Sequence, residues 1–261
     1  MKAGTSDSEI TFYLSNLRKT LSDNSRLKNF RRPYNYREIL EHVDYELGQK
    51  YLDKILSQLG DRALDVISIN LANDLFGNPV RYKFGNVGRI SPTTLRYIST
   101  AVDIEREIGI KSQDVVAEIG VGYGGQAAVL RRMFSVSDYT FFDLPEVLEL
   151  SARFLKEIGI DLEVSNGELF NVSRSFDVTI SNYAFSELSR DLQESYLENV
   201  LLRSSRGYMI MNSGRTNVTG RSRGKLQLDE LLTLLPNSRV KEEEPLTGPD
   251  NYVLLWGSNL I

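Results

Sequence analysis

The chain of 261 residues is 41% hydrophobic and 25% charged, which is an ordinary globular composition. Its net charge of −4 argues against a dedicated nucleic-acid-binding protein, because such proteins present a basic surface to phosphates. The absence of cysteine excludes disulfides, thiolate metal sites and a cysteine nucleophile. The first residues lack the apolar core of a signal peptide, and no apolar run approaches the roughly 18 residues of a membrane span, so we expect a cytoplasmic protein without a membrane partner.

Residues 1–109 are predicted to be mostly helical. Apolar residues recur there at helical spacing, and capping residues and glycines mark the ends of each run. We expect this region to act either as a lid over the rest of the chain or as the contact of a homodimer. The predicted segments are helices over 6–21, 35–60, 63–75 and 91–109, with a polar loop at 80–89.

From residue 115 onward the pattern alternates between apolar strands and amphipathic helices, which is typical of a parallel α/β sheet. The last two predicted strands have no helix between them, so they should pair antiparallel as a terminal hairpin. We therefore expect residues 110–261 to form a seven-stranded, mostly parallel sheet. The predicted strands lie near 115–118, 139–143, 162–164, 178–181, 208–211, 239–242 and 252–256.

A glycine-rich turn follows the first of these strands. Glu118 ends the strand, and Gly120, Gly122, Gly124 and Gly125 follow before a helix begins. Glycines permit the positive φ of a tight turn and let a ligand approach the backbone. The G-x-G-x-x-G spacing is shared with dinucleotide-binding enzymes, so a nicotinamide-dependent oxidoreductase is an alternative. Glu118, however, would repel a pyrophosphate and suits a cationic or hydroxyl-rich ligand instead.

Carboxylates also follow the second and third predicted strands. Asp143, followed by Leu144, is placed to accept hydrogen bonds from the two hydroxyls of a ribose. A role for Asp143 as a helix N-cap is the alternative. Glu168 and Leu169 offer a carboxylate for an adenine amino group and an apolar side chain to cover the ring, although a plain turn would explain them equally well.

Several stretches resemble S-adenosylmethionine-dependent methyltransferases. The segments Phe-Asp-Leu-Pro at 142–145 and Gly-Glu-Leu-Phe at 167–170 resemble those of small-molecule O-methyltransferases. The wider pattern resembles a bacterial family of sugar O-methyltransferases, through NDLFGNP at 73–79, GRISPTTLRY at 88–97, EIGVGYGG at 118–125 and SNYAFSEL at 181–188. The resemblance implies a class I, Rossmann-like methyltransferase fold, S-adenosyl-L-methionine as cofactor, and a sugar or nucleotide sugar as acceptor.

The resemblance also implies roles for individual side chains. Glu118 would hold the methionine amino end of the cofactor, directly or through water. Asn182 would also bind the cofactor, in a segment expected to lie against the transferred methyl group, because the carboxyl ends of strands face the ligand crevice. Arg89, Arg96 and Tyr97 are candidates to close over the methionine carboxylate or the acceptor.

The catalytic base is left open by the sequence. A sugar hydroxyl needs a general base within about 3 Å, and small-molecule O-methyltransferases carry a histidine shortly after the fourth strand. Glu187 stands in that region here and is the first candidate, with a solvated carboxylate at a helix start as the alternative. His42, the only histidine, could reach over the cleft from an N-terminal helix, although a lone histidine is more often a surface or core residue. Tyr183 is a third catalytic candidate, which would line the methyl site or orient the acceptor, with simple packing as its alternative. The missing histidine keeps open a catalytically silent cofactor-binding subunit. No Asp/His cluster has the spacing of metal ligands, so we expect metal independence.

Two charged segments are expected to have no catalytic role. The basic loop 212–225 is expected to be solvated, with contact to an anionic acceptor as the alternative. The acidic run 242–244 is expected to be a solvated strand edge.

Overall fold

The computed structural model describes residues 7–33, 36, 41–215 and 223–257. The helices of this part of the chain are α1 (Asp7–Leu21), α2 (Asn24–Lys28), α3 (Tyr45–Leu59), α4 (Ala63–Asn70), α5 (Pro92–Ile108), α6 (Gly125–Phe134), α7 (Pro145–Glu157), α8 (Ala184–Glu187), α9 (Arg190–Asn199) and α10 (Leu228–Leu234). The strands are β1 (Tyr82–Phe84), β2 (Gly88–Ile90), β3 (Val115–Ile119), β4 (Asp138–Phe142), β5 (Glu163–Asn166), β6 (Phe176–Asn182), β7 (Ser204–Met211), β8 (Arg239–Glu242) and β9 (Tyr252–Gly257). None of the helices just named is long and apolar enough to cross a membrane.

Seven of the described strands form one sheet in the order β5-β4-β3-β6-β7-β9-β8. The first five are parallel, whereas β9 runs antiparallel to both of its neighbours. The connection between β8 and β9 contains no helix, and so short a connection permits only antiparallel pairing. The predicted Rossmann-like sheet with a terminal antiparallel hairpin is therefore confirmed. Its strand order reverses between β3 and β6, and ligands of such sheets bind at the carboxyl ends of the strands at that point.

Helices cover both faces of the sheet. Successive residues of β3 face opposite layers, as the period of a strand requires. Val116 packs in the buried cluster that contains Ile98 of α5 and Leu130 of α6. Ala117 packs in the other cluster, which contains Leu197 of α9.

The N-terminal helices share a core with the sheet. Leu17 of α1 and Ile55 of α3 belong to the same buried cluster as Val116 of β3. This contiguous packing places the N-terminal helices directly against the layer that carries the glycine-rich turn. The division into a helical region 1–109 and a sheet domain 110–261 stays a prediction.

A buried arginine joins the N-terminal region to the glycine-rich turn. Arg31 donates from Nε to Glu41 Oε1 at 2.7 Å, and its guanidinium lies 4.7 Å from the centre of the Tyr123 ring. Asp74 Oδ1 lies 3.5 Å from Arg31 Nη1. These contacts satisfy a charge that would be costly to bury alone.

The helix predicted over 35–60 begins later than expected. The observed helix is α3, and its N-cap is Asp44, whose side chain accepts the Leu47 N–H at 2.8 Å. Residues 41–44 are not helical, while the predicted start at Asn35 lies outside the described residues. The Asp44 side chain satisfies an N–H group that has no partner within the helix, which favours a helix start at that point.

Two other N-terminal predictions were partly wrong. The segment predicted as a loop over 80–89 contains the antiparallel strands β1 and β2, and the N–H of Val87 donates to the carbonyl of Phe84 at 2.9 Å. Gly85 and Gly88 adopt positive φ there, which allows the chain to reverse. The helix predicted over 63–75 is divided into α4 and a 3₁₀ turn over Leu71–Asp74.

Candidate cofactor site

The glycine-rich turn lies between β3 and α6, at the point where the strand order reverses. Gly120, Gly122 and Gly124 have φ values of 78°, 55° and 85°, which favour glycine over any residue with a side chain. A Cβ on Gly120 would lie 2.0 Å from the Cβ of Ala184, the first residue of α8. The turn therefore passes directly against the segment that follows β6.

Glu118 is a buried carboxylate beneath this turn. Its residue is 1% exposed, and its Oε2 accepts a hydrogen bond from the Tyr139 hydroxyl at 3.0 Å. Burial raises the pKa of Glu118 to about 8, the Tyr139 hydrogen bond opposes that shift, and the negative charge of Asp143 adds to it. A cationic ligand group beside Glu118 would relieve this cost.

Asp143 lies at the carboxyl end of the neighbouring strand β4. Its Oδ1 accepts the Leu144 N–H at 2.7 Å, and its Oδ2 accepts the Gly122 N–H at 3.4 Å. Burial raises the pKa of Asp143 to about 6, against the opposing effect of these N–H groups. The N-cap of α7 is Leu144, so the alternative role of Asp143 as that N-cap is wrong.

Helix α1 covers this side of the site. Burial chiefly raises the pKa of Tyr13 on α1, and the Asp143 carboxylate adds to that shift. Arg18 donates from Nε to Glu146 Oε1 at 2.7 Å, and Arg153 donates from Nη1 to the carbonyl of Leu21 at 2.7 Å. Sequence reasoning missed Tyr13, because no local signal relates α1 to a strand end 130 residues away in the chain.

The side chains predicted to contact adenine lie at adjacent strand ends. Leu144, which is 37% exposed, follows β4, while the exposed Glu168 and the half-buried Leu169 follow β5. The two ends are held together by Gly167, whose N–H donates to the carbonyl of Phe141 at 2.7 Å. The arrangement leaves two apolar side chains at the edge of the crevice.

Asn182 ends β6, on the other side of β3, and Tyr183 follows it. Asn182 donates from Nδ2 to Gln126 Oε1 at 3.3 Å, whereas its buried Oδ1 has no hydrogen-bond partner among the described residues. Tyr183 has a φ of 69°, which is uncommon for a residue with a side chain and is found at functional sites where the surrounding structure holds it. Its N–H donates to the carbonyl of Ile210 at 2.8 Å.

The Tyr183 hydroxyl donates to Glu243, a residue that was expected at a solvated strand edge. That expectation is wrong for Glu243, which is 5% exposed and also accepts hydrogen bonds from the Thr247 N–H at 2.8 Å and Asn251 Nδ2 at 3.0 Å. Its neighbour Glu242 is exposed and pairs with Arg215. The local sequence does not distinguish Glu243 from the other glutamates at 242–244; it is buried because of the path that the chain takes after β8.

The other two catalytic candidates lie on different elements. Glu187, at the end of α8, is half-buried, and its Oε1 accepts a hydrogen bond from Asn212 Nδ2 at 3.0 Å. His42 is exposed, and its Nε2 lies 3.4 Å from Nη1 of Arg96 on α5. Burial alone would lower the pKa of Arg96, but the phenols of Tyr97, Tyr183 and Tyr51 outweigh it and raise that pKa, so the guanidinium stays charged.

Within the described ranges, no group of three or more His, Asp or Glu side chains is arranged to hold a metal ion.

No model of a known protein family matches this sequence, and no curated protein matches it. Similar solved structures include geranyl diphosphate C-methyltransferase from Streptomyces coelicolor A3(2), at 14% identity over 65% of this chain and 81% of that one, with a TM-score of 0.48. The pyocyanin biosynthetic protein PhzM is 13% identical over 63% of this chain and 56% of its own, with a TM-score of 0.47. An O-methyltransferase family protein from Burkholderia thailandensis is 12% identical over 64% of this chain and 59% of its own, with a TM-score of 0.45. At such identities the likeness concerns the path of the chain and not the reaction.

Proposed function

We propose that this protein is an S-adenosylmethionine-dependent methyltransferase that acts on a hydroxyl of a small molecule. The observation that carries the proposal is a pair of oxygen acceptors beside the glycine-rich turn. Glu118 is in register with Ile180 of β6, and Asn182 lies two residues further along β6, so both side chains are on one face of the sheet. The buried carboxylate of Glu118 and the Oδ1 of Asn182, which no described residue partners, fit the ammonium group of the cofactor.

The remaining residues of the site fit the adenosyl part. Asp143, next to the turn, would accept hydrogen bonds from the ribose hydroxyls, while Leu144 and Leu169 would flank the adenine and Glu168 would accept from its amino group. The nicotinamide alternative is not favoured, because a pyrophosphate on this turn would further oppose the ionisation of Glu118, whose pKa burial already raises, whereas an ammonium group would favour it.

The bound cofactor would supply an electrophilic methyl group on a sulfonium. The protein then has to align the acceptor oxygen with that methyl group and take up the acceptor's proton. Of Glu187, Tyr183 and His42, we favour Tyr183 for contact with the acceptor hydroxyl, because it follows the strand end that carries Asn182 and its backbone is held at positive φ. Tyr183 would accept the acceptor proton as it passes its own proton to Glu243, while the new O–C bond forms and the S–C electron pair returns to sulfur.

We also propose a sugar or nucleotide sugar as the acceptor, because the segments 73–79, 88–97, 118–125 and 181–188 resemble those of bacterial sugar O-methyltransferases. The N-terminal helices would serve as the lid, since Arg18 of α1 donates to Glu146 of α7 at 2.7 Å, close to the strand end that carries Asp143.

Calorimetry tests the cofactor, with S-adenosylhomocysteine and NADH as the two titrants. We expect heat of binding from S-adenosylhomocysteine alone, and a much weaker signal from the Glu118→Gln variant, because an amide cannot offer the ammonium a charged partner. Binding of NADH without binding of S-adenosylhomocysteine would contradict the proposal.

Transfer of tritium from methyl-labelled S-adenosylmethionine tests the acceptor. UDP-glucose and methyl glucoside represent sugars, and catechol represents phenols. Label on the sugars supports the proposed acceptor class, whereas label on catechol alone would keep the methyltransferase and refute the sugar.

A further inference from the structure

The hairpin formed by β1 and β2 presents three exposed cations, Arg81, Lys83 and Arg89, which we call the basic face. We propose that the basic face binds the phosphate of a phosphorylated acceptor, such as a nucleoside diphosphate sugar. This inference rests on the proposed function, because it assigns a chemical class to the acceptor of that reaction.

The register of the hairpin places these cations together. Lys83 lies directly opposite Arg89 in the antiparallel pair. Because successive side chains of a strand point to opposite faces, Lys83 and Arg89 share the outer face, while the fully buried Phe84 lies on the inner face. Arg81 precedes Lys83 by two residues, and its carbonyl accepts a hydrogen bond from Arg89 Nη2 at 3.1 Å. The three cations therefore form one charged surface toward solvent.

The inner face holds the hairpin firmly against α3. The ring of Phe84 is stacked on that of Tyr45, with 5.0 Å between the ring centres. A Cβ on Gly48 of α3 would lie 2.9 Å from the Phe84 ring and 2.9 Å from the Cβ of Pro92, so the three elements are in close contact. The basic face is thus carried by a packed support, and little conformational entropy is lost when a ligand binds to it.

The charge of the basic face is not balanced by neighbouring acids. Among the described residues, no carboxylate forms an ion pair with any of the three cations. Like charges directly opposite each other in an antiparallel pair are destabilising, and Lys83 and Arg89 are such a pair. A bound anion would relieve this repulsion, which the free protein bears although its net charge is −4.

Helix α5, which follows the hairpin directly, shows where the basic face lies relative to the sheet. Near the start of α5, the carbonyl of Tyr97 accepts from Gln126 Nε2 at 3.1 Å, beside the glycine-rich turn at the carboxyl end of β3. Just after its end, the carbonyl of Gly109 accepts from Arg206 Nε at 3.2 Å, near the amino end of β7. The helix therefore runs away from the carboxyl edge of the sheet. The hairpin before it lies beyond that edge, on the side where ligands of such sheets bind.

A phosphate group matches the chemistry of the basic face. Guanidinium groups present several N–H donors in a fixed fork, and an ammonium adds a point charge, so together they suit the oxygens of a phosphate. In a sugar phosphate or a nucleoside diphosphate sugar, the phosphate is attached at one carbon of the ring. The other hydroxyls of the ring stay free to react with the methyl donor.

The experiment compares three ligands that share a glucose unit and differ in phosphate. UDP-glucose, glucose 1-phosphate and methyl glucoside are titrated by calorimetry, with and without S-adenosylhomocysteine. We expect Lys83→Gln to weaken UDP-glucose roughly 3- to 10-fold, and Lys83→Gln with Arg89→Gln roughly 10- to 100-fold, with methyl glucoside unchanged. The affinity of the wild type for UDP-glucose should also fall more steeply with added salt than that of the double variant.

Lys156→Gln is the matched control, since it removes the same charge from another exposed lysine. Lys156 lies near the end of α7, which returns from the carboxyl end of β4 to the amino end of β5. We expect this variant to bind all three ligands like the wild type. Urea unfolding checks that Lys83→Gln is folded, and its midpoint should equal or exceed that of the wild type because a like-charge pair is removed.

The remaining outcomes decide the inference as follows. A wild type that binds UDP-glucose no more tightly than methyl glucoside would overturn it. Unchanged binding in Lys83→Gln, or an equal loss in Lys156→Gln, would also overturn it, since the cations would then be a solvated edge or a part of the general charge. Tighter binding of UDP-glucose than of glucose 1-phosphate supports a nucleotide sugar, and equal binding supports a sugar phosphate. Absence of S-adenosylhomocysteine binding would instead refute the proposed function, because UDP-glucose is also titrated without it.

Discussion

Replacing Glu118 by glutamine should make the ligand-free protein more stable at alkaline pH. In the folded protein the pKa of Glu118 rises from 4.5 to about 8, chiefly because its carboxylate is buried. The folded state therefore binds this proton more tightly than the unfolded chain, so the free energy of unfolding falls as pH rises from about 4.5 to about 8. At about 1.4 kcal/mol for each pH unit, the loss at pH 9 is on the order of 5 kcal/mol. Glutamine does not titrate and escapes this loss.

The assay is urea unfolding without ligand, followed by circular dichroism between pH 5 and pH 9. We expect the stability of Glu118→Gln relative to the wild type to increase steadily with pH and to level off above about pH 8. Glu168→Gln is the control, because that side chain lies in solvent. A constant difference between wild type and Glu118→Gln across the whole range would refute the idea that Glu118 is a buried titrating carboxylate.

The same substitution should weaken the binding of the cofactor, although it stabilises the ligand-free protein at alkaline pH. An ammonium group favours the ionised form of Glu118, so binding of S-adenosylhomocysteine to the wild type should release a proton near neutral pH and become tighter as pH rises toward 8. Calorimetry in buffers of different ionisation enthalpy measures that proton. We expect Glu118→Gln to lose the proton release together with much of the affinity.

Three further predictions concern the neighbouring residues. Tyr183→Phe should reduce methyl transfer by roughly 100-fold or more with little change in S-adenosylhomocysteine affinity, because it removes a proton-transfer group and not a cofactor contact. If Glu187→Gln loses methyl transfer and Tyr183→Phe does not, Glu187 is the base. Gly120→Ala should destabilise the protein and prevent cofactor binding, since its Cβ would lie 2.0 Å from the Cβ of Ala184. Gly159→Ala is the control, because Gly159 has a similar positive φ but no described atom within 4 Å of its Cβ, and unfolding curves should show a smaller loss of stability for it. Arg31→Ala should cost about 3–5 kcal/mol in urea unfolding, because it leaves the buried Glu41 unpaired, and a loss below about 1 kcal/mol would contradict a buried ion pair.

The site divides into a part that was predictable and a part that was not. Glu118, the three glycines of the turn and Asp143 were found because their spacing along one strand–turn–helix–strand unit determines where they lie. Spacing along the chain does not predict how deeply these residues are buried or which hydrogen bonds they form with one another. The Tyr183–Glu243 contact joins residues 60 positions apart, and Arg96 meets His42 across 54. No local sequence pattern predicts either of these two contacts.

The sequence alone determined the sheet and its terminal hairpin, because the period of apolar residues and the length of each connection restrict how neighbouring strands can pair. It determined β8 to the residue, since short flanking turns mark its ends. Tertiary structure decided the start of α3, the β1–β2 pairing and the identity of the one buried glutamate in 242–244. These outcomes depend on which distant segments pack together, and the free energy of burial and pairing acts only once the chain has brought them into contact.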